Sequence, residues 1–186
     1  MIIALAGRRV DAPDAKTARF PPGNVPAVAS QLRYLFEHEG ASALVCSAAC
    51  GADLVALFEA GALGIKRRII LPFDRQRFRQ VSVADRPGDW GSLYDRILDE
   101  VEAACELVVL HDGSSDEEAY DVASRAILDE AMSLARGEGQ SAEAVVVWEG
   151  APRGEHDHTA LFASEARNRG MPVLEVISTE RGVKSA

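Results

Sequence analysis

The chain has 186 residues, and its 29 acidic side chains outnumber its 20 lysines and arginines, giving a net charge of -9. This length supports one domain with an adequate buried core. The acidic balance disfavours general nucleic-acid binding, because that function needs a basic surface to neutralise phosphates.

Cysteine content and apolar runs indicate a cytoplasmic protein. The three cysteines, Cys46, Cys50 and Cys105, form no even set for a disulfide framework. No apolar segment is long enough to span a membrane. The opening run Met1–Ala6 lacks the features of a signal peptide, so it is predicted to be a strand.

Short apolar runs alternate along the chain with segments in which apolar residues recur every three or four positions. This alternation predicts strands and helices in turn. In chain order, the predicted elements are strand Ile2–Ala6, helix Asn24–Glu39, strand Ala43–Ser47, helix Ala52–Leu63, strand Arg68–Pro72, helix Ser92–Ala104, strand Leu107–His111, helix Asp116–Arg136, strand Ala144–Trp148, helix Thr159–Arg169 and strand Pro172–Ile177.

Strands that alternate with helices predict an α/β fold. We expect a single doubly wound, Rossmann-like domain over residues 1–178, with a mainly parallel sheet of about six strands and helices on both faces. A flexible tail is predicted over residues 179–186. Ligands of such sheets bind beyond the carboxyl ends of the strands. With the usual strand order, the loops that begin at Gly7, Ser47 and Asp112 line that crevice.

The segment Val45–Leu54 is the most informative motif. An apolar strand runs into small residues, and a helix then opens with Gly51 and Asp53. Small side chains allow close approach to the backbone, and the first turn of a helix favours a phosphate. Tight strand–helix packing selects the same residues. Asp53 would repel a phosphate, so it is expected to cap the helix or to reach a ribose hydroxyl.

The loop over residues 7–23 is long for this fold, and long loops in compact domains are often functional. Arg8 or Arg9 is a candidate phosphate ligand through its planar guanidinium, although adjacent arginines on a loop also occur as solvated surface. The Gly-x-Gly-x-x-Gly fingerprint is absent, which argues against binding of NAD or FAD.

Several motifs together resemble the SLOG superfamily, which contains Rossmann-like proteins related to the LOG phosphoribohydrolases and to DprA. The resemblance extends to about Ile177 and is greatest to one bacterial branch. It is carried by Gly7–Pro13, Arg19–Pro21, Ser47–Leu54, Leu71–Phe73 and Phe78–Val83.

This resemblance implies a site for a nucleotide or nucleotide-derived small molecule, with phosphate contacts at the Ser47–Gly51 turn. It also implies a possible homodimer. The ligand-binding residues taken from the motifs and the predicted crevice are Gly7, Arg8, Arg9, Ser47, Ala48, Cys50, Gly51, Asp53, Phe73, Gly150 and Thr159.

The second glycine loop of LOG enzymes is eroded here, between Trp148 and Thr159. The resemblance therefore favours a binding or sensor protein without robust catalysis. The alternatives are a phosphoribohydrolase-like N-glycosidase and a non-ligand interaction module. The candidate catalytic residues are Glu155, Asp157 and Arg125.

Three further positions carry open alternatives. The two acids and two histidines of Glu155–His158 are residue types that bind metals, but neighbours in sequence usually point in different directions. Capping of the last helix by Asp157 or Thr159 is therefore favoured. Cys50 is expected to be structural rather than nucleophilic. Arg125 either pairs with Asp129 one turn away or binds an anion.

Overall fold

The computed structural model describes residues 1–110, 116–154 and 156–179. Six parallel strands form one sheet in the order β4-β3-β2-β1-β5-β6, which confirms the predicted α/β doubly wound class. The elements are β1 Ile2–Gly7, α1 Val25–His38, β2 Ala43–Cys46, α2 Ala52–Ala62, β3 Lys66–Leu71, α3 Arg75–Ser82, α4 Trp90–Ala103, β4 Leu107–Val109, α5 Asp116–Glu138, β5 Ala142–Trp148, α6 His158–Asn168 and β6 Val173–Ile177.

Alternate residues of β1 are buried on opposite faces of the sheet, because successive side chains of a strand point in opposite directions. Ile3 and Leu5 belong to the larger core, which α1, α2 and α4 cover. Ile2 and Ala4 belong to the second core, which α5 and α6 cover. The sheet is therefore buried on both faces, as the apolar strands predicted.

The strand order corrects one expectation about the crevice. Strand β1 lies between β2 and β5, and β4 lies at the edge of the sheet. The order reverses between β1 and β5, so the loops after these two strands meet at the switch point. The predicted loop at Asp112 follows the edge strand instead, and residues 111–115 lie outside the described residues.

One helix was not predicted from the sequence. The segment Arg75–Ser82 forms α3, with the Asp74 side chain accepting a hydrogen bond from the Arg77 amide as an N-cap. Within the described ranges, no helix is long and apolar enough to cross a membrane. The predicted tail lies outside the described residues after Thr179.

Candidate functional site

A cavity of about 760 Å³ opens at the carboxyl end of the sheet, beside the switch point. The loop after β1 forms one wall, the turn after β2 and the end of α3 form another, and the N-terminal half of α5 and the start of α6 complete it. Six of the predicted ligand residues line it: Gly7, Arg8, Arg9, Ser47, Asp53 and Thr159. The structure thus brings together residues that lie far apart in sequence.

The lining is rich in cations although the chain is acidic. Six of its residues are Lys or Arg and two are acidic, Asp11 and Asp53. The cations are Arg8, Arg9, Lys16, Arg19, Arg86 and Arg153. A cleft lined by one sign of charge concentrates counter-ions, so this cavity favours an anion.

Arg8 is buried and its charge is balanced by two carboxylates. Its Nη1 and Nη2 donate to the two oxygens of Asp157 at 2.5 and 2.7 Å. Its Nε donates to Glu149 at 2.6 Å, and Nη2 also donates to the Ala151 carbonyl at 3.1 Å. Four of the five guanidinium N–H groups are therefore used within the protein, and Arg8 fits a positioning role.

Asp157 caps α6, as one of the sequence alternatives predicted. It accepts hydrogen bonds from the amides of Thr159 and Ala160. Burial alone would raise its pKa, but hydrogen bonds from Arg8 and from the Arg153 amide lower the pKa well below its usual range. A buried carboxylate held ionised in this way does not serve as a proton donor.

Glu149, which directly follows β5, was missed by the sequence reasoning. Its carboxylate accepts hydrogen bonds from both Arg8 and Arg19. Burial opposes ionisation, yet these hydrogen bonds lower the pKa of Glu149 overall. Arg8, Arg19, Glu149 and Asp157 thus form a charge-balanced network that ties the loop after β1 to the loop after β5.

Asp11 shapes the same long loop from within. Its carboxylate accepts hydrogen bonds from the amides of Arg19 and Phe20 at 3.0 and 3.2 Å. The Asp11 amide also donates to the Phe20 carbonyl at 2.9 Å. The loop therefore closes on itself, and its exposed part carries Lys16 to the edge of the cavity.

The glycine at the start of α2 is required by the protein's own backbone. Gly51 has a φ of 98°, and a Cβ there would lie 2.7 Å from the Arg8 carbonyl oxygen and from the Val10 nitrogen. The Ala52 amide donates to that carbonyl at 3.0 Å, and the Cys50 amide donates to the Ser82 carbonyl at 3.0 Å. These amides of the predicted phosphate turn are engaged within the protein.

Asp53 lies in the first turn of α2 and lines the cavity. It does not cap the helix; one of its oxygens accepts a hydrogen bond from the Ala49 amide at 3.1 Å. Burial raises the pKa of Asp53 to about 7, although this hydrogen bond and Arg9 favour the charged form. Its carboxyl therefore titrates near neutral pH.

The Cys50 thiol is buried, and burial raises its pKa although a hydrogen bond from Arg9 favours the thiolate. A nucleophilic cysteine requires the opposite shift. Cys50 does not line the cavity, so the structural role preferred from the sequence fits its surroundings.

Another part of the cavity wall is formed by Tyr120 and His158. The Tyr120 hydroxyl shares a hydrogen bond of 2.6 Å with the Ser82 hydroxyl. The His158 Nδ1 lies 3.1 Å from an Asp121 oxygen, and its ring centroid lies 6.1 Å from that of Tyr120. Two rings thus stand beside the space that the cations surround.

Phe73 is predicted to contact the ligand, but it lies behind this wall. Its ring packs edge-on against Tyr120 at 5.4 Å between centroids, and the Arg77 guanidinium lies over it at 4.1 Å. Phe73 supports Tyr120 and does not line the cavity.

Of the two sequence predictions for Arg125, the pair with Asp129 is not found in the described part of the chain, and anion binding stays a prediction. Asp129 instead accepts a hydrogen bond from Arg169. Arg125 lines a second cavity of about 290 Å³ between α5 and α6. The two cavities share Ser124 and His158 as lining residues, so Arg125 lies next to the main cavity without lining it.

The remaining predicted residues fall outside the cavity lining. Ala48, Cys50, Gly51, Gly150 and Asp157 do not line it, and Glu155 lies outside the described residues. In the described part of the chain, no three His, Cys, Asp or Glu residues are grouped to hold a metal ion. The cavity residues that sequence reasoning missed include Lys16, Arg19, Arg86, Arg153, Tyr120 and His158.

No family model matches this chain, and no curated protein matches it. Among solved structures, the chain is similar to DNA processing protein A (DprA) from Streptococcus pneumoniae, with 14% sequence identity and a TM-score of 0.41. The similarity covers 92% of this chain but 57% of that chain. The fold and the site are defined by the strand order and the contacts described above.

Proposed function

We propose that this chain binds a nucleotide or nucleotide-derived small molecule in the cavity beside the β1–β5 switch point, as a sensor or binding protein. The observation that carries the proposal is the charge of the lining. Six cationic and two acidic residues surround the cavity in a chain of net charge -9. This local reversal of charge favours an anionic ligand.

Part of the positive charge is available to a ligand. Glu149 and Asp157 balance Arg8 and Arg19. Arg9 and Arg86 share one carboxylate, Asp85, and no ion pair of Lys16 is found within the described ranges. The cavity therefore keeps a positive surplus after its internal ion pairs are counted.

The size and the apolar part of the cavity favour a ligand larger than a simple ion. A volume of about 760 Å³ lies within the range of small-molecule sites. Tyr120, Phe78 and Ile127 add aromatic and aliphatic surface to the lining. A nucleotide combines an anionic phosphate with a planar base, and it matches this pairing of surfaces. The sequence resemblance to the SLOG superfamily supports the same ligand class.

A thermal-shift panel tests the proposal. Purified protein would be mixed with nucleoside mono-, di- and triphosphates, cyclic nucleotides, ADP-ribose and the matching unphosphorylated nucleosides. A ligand at about a hundred times its Kd adds roughly 2.7 kcal/mol of stability. We expect a selective rise in Tm with one class of nucleotide. Uniformly unchanged melting would overturn the proposal in favour of the interaction-module alternative.

The alternative of a phosphoribohydrolase-like N-glycosidase has one observation in its favour. Asp53 lines the cavity with a pKa of about 7, which suits a proton-transferring group. The same panel, analysed for free base and ribose phosphate, tests this activity. Turnover that Asp53→Asn abolishes would favour the enzyme, whereas binding without turnover would favour the sensor.

A further inference from the structure

Polar atoms without partners concentrate in the large cavity. Within residues 1–110, 116–154 and 156–179, four buried side-chain atoms lack a hydrogen bond: Arg9 Nε, Ser47 Oγ, Arg86 Nε and Glu143 Oε2. The first three belong to residues that line this one cavity. Buried polar atoms in folded proteins are nearly always paired, so these three mark side chains of the cavity wall that have unused hydrogen-bonding capacity. Each atom is covered in this structure, so each side chain has to turn toward the cavity to reach a bound molecule.

Two of these residues are held next to each other by a shared carboxylate. Arg9 Nη2 pairs with one oxygen of Asp85, and Arg86 Nε lies 4.0 Å from the other oxygen. Both arginines also act electrostatically on the nearby Cys50 thiol. Asp85 carries one negative charge against these two guanidinium groups, and the partly ionised Asp53 also acts electrostatically on Arg9.

We propose that Arg9 and Arg86, placed side by side by Asp85, form an oxyanion subsite that takes a phosphoryl group of the bound molecule. The inference rests on the proposed function and assigns the anionic end of the ligand to named side chains. Ser47, at the end of β2, contributes its hydroxyl to the same subsite.

The chemistry of the donors selects the phosphoryl group. A phosphoryl group offers three strong acceptor oxygens, enough for two guanidinium groups and one hydroxyl together. A planar guanidinium also binds such oxygens with charge-assisted hydrogen bonds. A carboxylate has two oxygens and leaves this donor set less well satisfied.

This subsite differs from the one expected at the start of α2. There the Cys50 and Ala52 amides donate to protein carbonyls, and the backbone of Arg8–Val10 covers Gly51. The phosphoryl group therefore meets side chains from three loops rather than the helix amides. Arg86 comes from the segment between α3 and α4, which the sequence motifs did not single out for binding.

Isothermal titration with four probes tests the subsite: inorganic phosphate, ribose 5-phosphate, a nucleoside 5′-monophosphate from the panel above, and its nucleoside. They would be titrated into the unmodified chain, Arg86→Gln, Ser47→Ala and the control Arg136→Gln. Arg136 is an exposed cation in the last turn of α5 and lines neither cavity.

We expect Arg86→Gln to raise the Kd for the monophosphate about tenfold or more, because a charged hydrogen-bond donor is lost. Ser47→Ala should raise this Kd several-fold. The Tm of the free protein should stay equal or rise, since the substitution removes an unpaired buried hydroxyl. Arg136→Gln should stay within twofold of the unmodified chain. The nucleoside should bind more weakly than its monophosphate.

Three outcomes would overturn the subsite. If the monophosphate binds Arg86→Gln as tightly as the unmodified chain, the subsite is wrong and the proposed function stands. If the nucleoside binds as tightly as the monophosphate, the phosphoryl assignment fails while ligand binding stands. If neither the nucleotide panel nor the four probes bind, the subsite and the proposed function fail together.

Discussion

The Arg8 guanidinium donates two hydrogen bonds to the Asp157 carboxylate, from Nη1 at 2.5 Å and from Nη2 at 2.7 Å. This pair joins the end of β1 to the start of α6. Both side chains are buried, and Asp157 simultaneously caps the helix. The wall of the cavity therefore depends on an ion pair that contributes to the fold, and its members do not behave as free ligand contacts.

Asp157→Ala should destabilise the protein by about 3 kcal/mol or more, because it leaves Arg8 without a buried partner and removes the cap. Asp157→Asn should cost less, since an amide oxygen can still cap the helix. Urea unfolding measures both. The control Asp129→Ala removes an exposed partner of Arg169 and should cost under about 1 kcal/mol. Equal losses for Asp157→Ala and Asp129→Ala would refute the structural role.

Gly51→Ala should destabilise the chain by about 2 kcal/mol or more, through its positive φ and its contact with the Arg8 and Val10 backbone. Gly40→Ala is the matched control: Gly40 also has a positive φ, 60°, but a Cβ there meets nothing within 4 Å. Its cost should be about 1 kcal/mol. Thermal unfolding of both variants checks the difference, and a Gly51→Ala as mild as Gly40→Ala would contradict the close approach.

Asp53 makes stability depend on pH in a defined direction. Its pKa of about 7 in the folded chain lies above the unfolded value, so the folded state binds more protons between about pH 4 and 7. The contribution of Asp53 to stability is therefore present at low pH and is lost as pH rises through 7. Asp53→Asn keeps an acceptor for the Ala49 amide but does not titrate.

We compare the free energy of unfolding of Asp53→Asn with that of the unmodified chain at each pH. The difference should shift in favour of the variant by roughly 2 kcal/mol between pH 5 and pH 8. Urea unfolding at the two pH values provides the measurement. A difference between variant and parent that does not change with pH would show that Asp53 titrates normally.

The three cysteines should differ in reactivity. Cys46 and Cys50 are buried and burial raises the pKa of both thiols, whereas Cys105 is exposed. Since the thiolate is the reactive form, a thiol-exchange reagent should modify one cysteine quickly in the native protein and all three after unfolding. Rapid labelling of Cys50 in the native state would support the nucleophile alternative.

The fold was predictable because most elements carry strong apolar patterns, and α3 marks where that signal ends. Phe78 and Ser82 are its only buried residues, and charged or amide side chains fill most other positions. The available signal was Asp74 as an N-cap after Pro72. The position of β4 at the edge was not predictable, because its short apolar run resembles those of the central strands.

About half of the site was predictable for a similar reason. Gly7, Ser47 and Asp53 lie at the ends of central strands or the start of the next helix, where the doubly wound fold gathers ligand residues. Lys16 and Arg86 lie in irregular segments, whose paths depend on tertiary contacts such as the Asp11 hydrogen bonds. Gly51 was assigned to a ligand, but the backbone that requires it belongs to Arg8–Val10, far earlier in the chain.

Amide NMR of labelled protein locates the bound nucleotide on the fold. The nucleotide giving the largest Tm shift would be titrated in while backbone shifts are followed. We expect the largest changes in residues 8–19, 47–53, 82–86 and 120–127, which surround the main cavity. Changes centred on Leu161, Ser164 and Asn168 of the second cavity, or on the β4 edge, would contradict it.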